Sequence, residues 1–294
     1  MASTKTMKIA LGTVQFGQRY GVSNSRGQVP ASEVIDILNA AQSCGVDTID
    51  TAASYGTSED VLGEIGVANW RVISKLPPLP AYKVDVEQWV RDQIHGSLHR
   101  LRLKSLDGML LHRPSDLLDS EGDAYRIALR EAKSAGLIKS VGVSIYRPEE
   151  LDAICAQWRP DIIQAPCSIL DRRLIQSGWL QRLQKMGVRV HVRSAFLQGL
   201  LLMRADRLPA YFAPWSNLLD RWAKWCEEQN ITPLQGALGY VSSLPGIERV
   251  VLGVDSLAQF HDISQAITTT VATAPQDLAC DDLDLIEPYR WKLT

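Results

Sequence analysis

The sequence predicts an α/β protein, a single-domain (β/α)8 barrel of the TIM type over residues 1–294. Three observations lead there. Eight short β-rich runs recur along the chain, helix-like segments alternate with them, and no break in composition marks a second domain. An open doubly wound sheet is the competing arrangement, but no G-x-G-x-x-G follows the first strand.

The first strand is expected in "KIALGTV" (8–14), followed by the long stretch "QFGQRYGVSNSRGQVP". In "ASEVIDILNAAQSCG", Val34, Ile37, Leu38 and Ala41 fall at helical spacing and Gly45 is a natural stop. Strands two, three and four are expected in "DTIDTA" (47–52), "RVISKL" (71–76) and "LDGMLLH" (106–112), the last followed by "RPSDLLDSEGD". "GDAYRIALREAKSAG" repeats the helical grammar and ends at Gly136, and strand five follows in "KSVGVS" (139–144). "RPEELDAICAQW" opens a helix with Pro148, where a first-turn proline is tolerated. Strands six, seven and eight are expected in "DIIQAP" (161–166), "VRVHVRS" (188–194) and "ERVVLGV" (248–254). Several runs are apolar nearly throughout, as strands buried on both faces must be. The stretch "LLMRADRLPAYFAPWSN" follows strand seven, and the tail "DLIEPYRWKLT" follows the last helix. Long loops in a compact barrel carry function more often than not, so those after strands one, four and seven are expected at the active face.

Composition narrows the function. The formal charge of −2 and the absence of a basic stripe give no general pull on nucleic acid or an anionic membrane. No run approaches the length of a spanning helix and the N-terminus lacks the apolar core of a signal peptide, so a cytoplasmic location is expected. Five scattered cysteines without a C-x-x-C pair read as reduced packing residues, and no ligand set has metal-site spacing, so no metal is expected. His95 and His99 stand i, i+4 but without H-E-x-x-H, and read as a solvated helix face.

Chemistry concentrates at the carboxyl ends of the strands. Asp50 and Tyr55 follow strand two, Lys75 lies on strand three and His112 closes strand four. Singly, each has an ordinary structural use as a turn cap, a snorkelling cation or a core histidine. Together they bring an acid, a phenol, an amine and an imidazole to one face. A phenol with an ordinary pKa of about 10 protonates an alkoxide poorly at neutral pH, and a neighbouring ammonium improves it by favouring the phenolate. Asp50 is the counter-ion that keeps Lys75 charged, and His112 can hold the substrate oxygen. Carbonyl reduction, with a proton from Tyr55 and a hydride from a cofactor, suits this set.

The ordered motifs "LGTVQFG", "DTAASYGTSEDVLG", "ISKL", "LLHRP", "GLIKSVGVS", "IIQAPCSILDRR", "RSAFLQGLL" and "VLGVDSLAQF" resemble those of the aldo/keto reductases over nearly the whole chain. The family's tetrad falls on Asp50, Tyr55, Lys75 and His112 without substitution. The resemblance implies a nicotinamide cofactor, NADP(H) being favoured and NAD(H) the alternative, lying across the barrel mouth. Its contacts would be Gly12 and Thr13 on strand one, Asp50, then Ser144 and Gln164 at the carboxamide, and Arg193, Ser194 and Phe196 at and beyond the end of strand seven. Gly253, Ser256, Gln259 and Asp262 would serve the adenine end, where the helix start is expected to offer amides to a phosphate. This chain departs from the family in three places. Ile145 replaces the usual asparagine, Arg193 stands where an aromatic ring commonly stacks on the nicotinamide, and Gln259 replaces an arginine used for the 2′-phosphate. The nearby Asp255 suits a ribose hydroxyl better than a phosphate.

For the substrate, Phe16, Tyr20, Arg113 and Trp291 are expected at the pocket, with Trp215 near its rim and Cys167 as a wall residue. Arg19, Arg113 and Arg193 suggest a small carbonyl compound that is sugar-like or anionic; the oligomeric state is left open. "LDRR" (170–173) reads as a loop-fixing ion pair, and Trp222 and Trp225 as packing. Competing functions are a cofactor-binding regulatory or redox-sensing subunit, and a lyase using Lys75 as a Schiff-base amine.

Overall fold

A computed structural model describes residues 8–80, 82 and 84–293. Residues 1–7 and 294 of the expected unit lie outside the described residues. Eight parallel strands close into a barrel in sequence order. They are β1 (Ile9–Gly12), β2 (Thr48–Asp50), β3 (Arg71–Leu76), β4 (Gly108–Leu111), β5 (Val141–Ser144), β6 (Ile162–Pro166), β7 (Arg189–Arg193) and β8 (Ile247–Gly253). Seven of the expected runs contain their strand, β8 starts one residue before its run of 248–254, and β1 closes the ring by pairing with β8 from Ile9↔Val250 to Gly12↔Gly253.

Six of the strands, all but β3 and β8, are shorter than their apolar runs, as at β1, where the chain turns as soon as it reaches the barrel mouth. β1 stops at Gly12, and Val14–Gly17 coils into one helical turn instead of extending the strand. The helix Ala31–Ser43 buries Val34, Ile37, Leu38 and Ala41 against the barrel, and Gly45 ends it with φ +79°. The main core lies between strands and helices, whereas Ile73, Leu110 and Ile162 fill the barrel lumen.

Two features fix the ends of the barrel. At the amino ends of the strands, Arg71 and Arg189 share Asp107 at 3.2 and 3.4 Å, Arg71 reaches Glu248 at 3.5 Å, and Arg249 holds Asp47 at 3.0 Å. This ionic floor is far from the carboxyl ends. On the opposite side, Phe212, Trp222 and Trp225 join Leu285 and Ile286 in a second apolar cluster under the long loop after β7. Trp222 and Trp225 stack at 5.6 Å and are packing residues.

Gly142 of β5 faces Ile162 of β6, and a Cβ built there would lie 2.0 Å from the Ile162 carbonyl oxygen. The Ile162 backbone cannot yield, and the buried Leu110 side chain, 2.8 Å from the same point, closes the other side. Gly142→Ala is expected to cost about 1–3 kcal/mol, as overpacked cores do, and to lower the midpoint of a thermal denaturation curve by several degrees.

Candidate active site

The carboxyl ends of the strands surround a cavity of about 810 Å³. It runs from Tyr55 and His112 at one end to Gln259 and Asp262 at the other. Its base is built on Asp50, the last residue of β2. The Asp50 Oδ1 accepts from the Lys75 ammonium at 2.5 Å and its Oδ2 accepts from the Gln164 amide at 2.6 Å. Both side chains of the ion pair are essentially shut off from water, at 0% and 3% exposure. Neighbouring strands supply the pair because parallel registry sets the ends of β2, β3 and β6 at the same height.

Lys75 has two further acceptors, the Thr51 carbonyl at 2.9 Å and the Tyr55 hydroxyl at 3.4 Å. Its ammonium is 5.0 Å from the centroid of the Tyr55 ring. Burial pushes the Lys75 pKa down, but the Asp50 carboxylate and Tyr55 outweigh it, and the net shift is upward. An ammonium held this firmly is a poor Schiff-base amine.

The segment that carries Tyr55 is held close to the loop after β1. Gly56 adopts φ +55°, and a Cβ on it would lie 2.3 Å from the Gly17 carbonyl oxygen; one on Gly17 would collide with the Tyr55 carbonyl oxygen. Ser58 Oγ then donates to the Thr13 carbonyl at 2.9 Å. Tyr55 and His112 meet edge to face at 5.8 Å. Burial, followed by the charges of Lys75 and Arg193, lowers the His112 pKa to about 3. The ring is therefore neutral in the physiological range. Its Nδ1 lies 3.2 Å from the Ser54 hydroxyl; with that hydroxyl donating, Nε2 carries the proton.

Of the expected cofactor residues, Gly12, Thr13, Asp50, Gln164, Arg193, Ser194, Phe196, Gly253, Gln259 and Asp262 border the cavity. Ser144 does not; it lies beneath, with its hydroxyl donating to Gln164 Oε1 at 3.3 Å. Ser256 is also off the wall and caps the helix Leu257–Ala266 by accepting from the Gln259 amide. The expectation of a phosphate at that helix start meets a further obstacle, since the Glu33 carboxylate already accepts the Leu257 amide at 3.1 Å. Gln15 borders the cavity with a buried Oε1 that lacks a partner, and a Cβ on Gly253 would run into it. Together with the Gln164 amide and the cavity volume of about 810 Å³, this suits a dinucleotide.

Of the expected substrate residues, Tyr20 borders the cavity and accepts from Gln198 at 3.2 Å. Three others are placed elsewhere. Phe16 is fully buried in the main core, because the Val14–Gly17 turn rotates its side chain inward. Arg113 pairs with Asp116 at 2.5 Å outside the cavity, and residues 113–123 after β4 contribute nothing to its wall. Trp291 packs on Phe212 at 4.8 Å and donates to the Leu285 carbonyl. Trp215 likewise leaves the rim, donating to Asp282 at 3.0 Å. Cys167 is sealed behind the wall, and burial pushes its thiol pKa up. All five cysteines are free, and His95 and His99 are exposed.

The tail enters through a different set, Ile286, Glu287, Pro288 and Tyr289. Glu287 accepts from Arg147 at 2.8 Å, Arg173 at 3.0 Å and Tyr289 at 2.6 Å. Burial pushes the carboxyl up, yet these partners hold it at about 2. Arg173 also pairs with Asp171 at 2.8 Å, so "LDRR" fixes the loop and anchors the tail. Tyr146, Gln15 and Glu287 were not picked out from the sequence; Arg-rich "LDRR" beside an acidic tail was the available signal for Glu287.

Two measurements check this geometry. Lys75→Met strands a buried carboxylate, so a loss of about 3–5 kcal/mol in denaturant unfolding is expected, with partial recovery in the double variant carrying Asp50→Asn. His112 should stay neutral in an NMR titration down to pH 5. Because an unfolded histidine titrates at about 6.5, its linked contribution to stability is complete above that value. It is lost progressively as pH falls toward 3.

The chain resembles known proteins in a consistent way. The model of the aldo/keto reductase family matches residues 8–281. A NADH-specific methylglyoxal reductase of Escherichia coli is 24% identical, with 95% of each chain covered. The D-arabinose 1-dehydrogenase of Saccharomyces cerevisiae is 28% identical, covering 85% of this chain and 80% of that protein. Among solved structures, a holo-form aldo-keto reductase of Bacillus halodurans superposes with a TM-score of 0.74 at 21% identity, covering 91% of this chain and 88% of that one. No helix among the described residues is long and apolar enough to cross a membrane. With a family match over nearly its whole length and a closed parallel barrel beneath it, the chain belongs to the aldo/keto reductase family of NAD(P)-dependent oxidoreductases.

Proposed function

We propose that the protein reduces the carbonyl group of a small aldehyde or ketone, or in reverse oxidises a sugar-type alcohol, with Tyr55 as the proton donor. The observation that carries this reading is the buried Lys75 ammonium, 3.4 Å from the Tyr55 hydroxyl at the edge of the cavity. In the reaction, neutral His112 donates from Nε2 to the carbonyl oxygen and orients it. Tyr55 delivers its proton to the same oxygen as charge builds there. The Lys75 ammonium stabilises the phenolate left behind, and Asp50 keeps Lys75 charged inside the barrel. A nicotinamide cofactor, when bound, supplies the hydride. Gly12, Thr13, Gln164 and Gly253 are the groups suited to hold it, with Arg193, Ser194 and Phe196 along the β7 side. The two relatives named for methylglyoxal and D-arabinose support a small carbonyl or sugar-like substrate. We take residues 1–294 as one catalytic unit and the cytoplasm as its location.

The cofactor preference follows from charge at the β8 end. Asp255 and Asp262 border the cavity there, and Glu33 sits on the adjoining helix start. Arg26, the neighbouring cation, is engaged by Glu33 at 2.9 Å and by the Asp255 carbonyl at 3.0 Å. A 2′-phosphate would meet carboxylates rather than a free cation, whereas a ribose hydroxyl can donate to one of them. This supports NAD(H) over NADP(H), in line with the NADH specificity in the name of the Escherichia coli relative.

Titration calorimetry is expected to give a dissociation constant for NADH at least about tenfold below that for NADPH, roughly the 1.4 kcal/mol of one hydrogen bond to a charged group. Tyr55→Phe is expected to cut turnover on a panel of small aldehydes by about 10²-fold or more while cofactor affinity stays within a few-fold. A variant that kept full turnover would remove Tyr55 from its role.

A further inference from the structure

A nicotinamide ring is neutral when reduced and positively charged once hydride, a hydrogen nucleus with two electrons, has passed to the carbonyl carbon. Any uncompensated charge at the reacting end of the cavity therefore treats the two forms unequally. Most charges at that end cancel. Asp50 is matched by Lys75, and Asp171 and Glu287 are matched by Arg173 and Arg147. The acidic Asp255 and Asp262 follow β8, and the cation that acts on Asp255 is Arg26 rather than Arg193.

Arg193 is the exception. It closes β7, borders the cavity and pairs with no carboxylate among the described residues. Its guanidinium donates to the Ile145 carbonyl at 3.0 Å and the Ser194 hydroxyl at 3.2 Å, and lies 4.9 Å from the Tyr146 ring centroid. These partners hold it in place and leave its charge intact. That charge is felt at the catalytic groups, since Arg193 contributes to the lowered pKa of His112. An arginine does not lose its proton in the working range, so the field is permanent.

We propose that Arg193 sets a redox preference in the cofactor site, so that the reduced nicotinamide binds more tightly than the oxidised one. The inference rests on the nicotinamide-dependent reading above. Hydride transfer brings donor and acceptor to about 3–3.5 Å, so a carbonyl held by Tyr55 and His112 draws the ring to the end of the cavity where Arg193 stands. The overall equilibrium of the reaction is untouched. What changes is that used cofactor is repelled from the site and fresh reduced cofactor replaces it.

The test measures binding of NADH and NAD+, and in parallel NADPH and NADP+, to the full chain by titration calorimetry. For the couple that binds, the reduced form is expected to bind at least about tenfold more tightly, the scale set by unit charges several Å apart in a protein-like dielectric. For a two-electron couple, tenfold corresponds to about 30 mV in the potential of the bound pair. Arg193→Met should bring the ratio toward unity by tightening the oxidised form, and Arg193→Lys should keep it. A wild-type ratio near or below unity overturns the inference without recourse to any variant. So does an unchanged ratio in Arg193→Met, including the case where only KM for carboxylate-bearing substrates rises, which would assign the guanidinium to substrate. Failure of all four nucleotides to bind overturns the nicotinamide reading itself, and this inference with it.

Discussion

The site depends on one buried ion pair. Lys75 and Asp50 come from adjacent strands of the barrel, meet at 2.5 Å and are almost completely removed from water. Such a pair contributes little net stability, because desolvating two charges offsets most of their attraction, and well-packed apolar residues often do as well. Its value is positional. An ammonium can be kept inside a barrel only beside a carboxylate, and once there it can serve Tyr55. The surroundings follow from that need. Gln164 occupies the second carboxylate oxygen, the Thr51 carbonyl takes another ammonium hydrogen, and the Asp50 carbonyl is engaged by the Thr13 amide and hydroxyl.

Charge is partitioned along the molecule as well as paired. The floor of the barrel carries its own network of Arg71, Asp107, Arg189, Glu248, Arg249 and Asp47, self-contained and remote from the cavity. At the mouth, the tail is pinned by Glu287 between two arginines. Between these neutralised regions, the cavity wall keeps a cation without a carboxylate partner among the described residues, Arg193, and carboxylates after β8, Asp255 and Asp262. A formal charge of −2 spread over the chain conceals this polarity, which emerges only when paired and unpaired groups are separated.

The barrel was legible in the sequence because strands buried on both faces leave short apolar runs, and because helix faces such as Val34, Ile37, Leu38 and Ala41 keep their period regardless of tertiary detail. The grouping of Asp50, Tyr55, Lys75 and His112 was legible for a related reason. Strand ends have a defined height and direction, so an acid after β2 and a lysine on β3 must approach one another. Loop side chains have no such constraint. Phe16 lies two residues beyond Val14, and a strand continued through it would aim it differently from the helical turn that buries it. Arg113 is captured by Asp116 three residues on, and Trp291 is turned aside by the Phe212 cluster, a partner about eighty residues away in sequence. The surroundings of the last long helix were legible only in part for the same reason: Asp255 and Gln259 stood out in the sequence, whereas Glu33 reaches the Leu257 amide across 224 residues.

The loop that brings Tyr55 to the cavity is packed backbone to backbone against the loop after β1, with Gly17 and Gly56 leaving no room for a methyl group on either side. This divides the barrel mouth into a stiff part and a part with room to change. A bulky replacement at Gly17 or Gly56 would shift the Tyr55 segment itself, whereas one at Tyr20, Tyr146 or Tyr289 would alter the cavity wall and leave that segment in place.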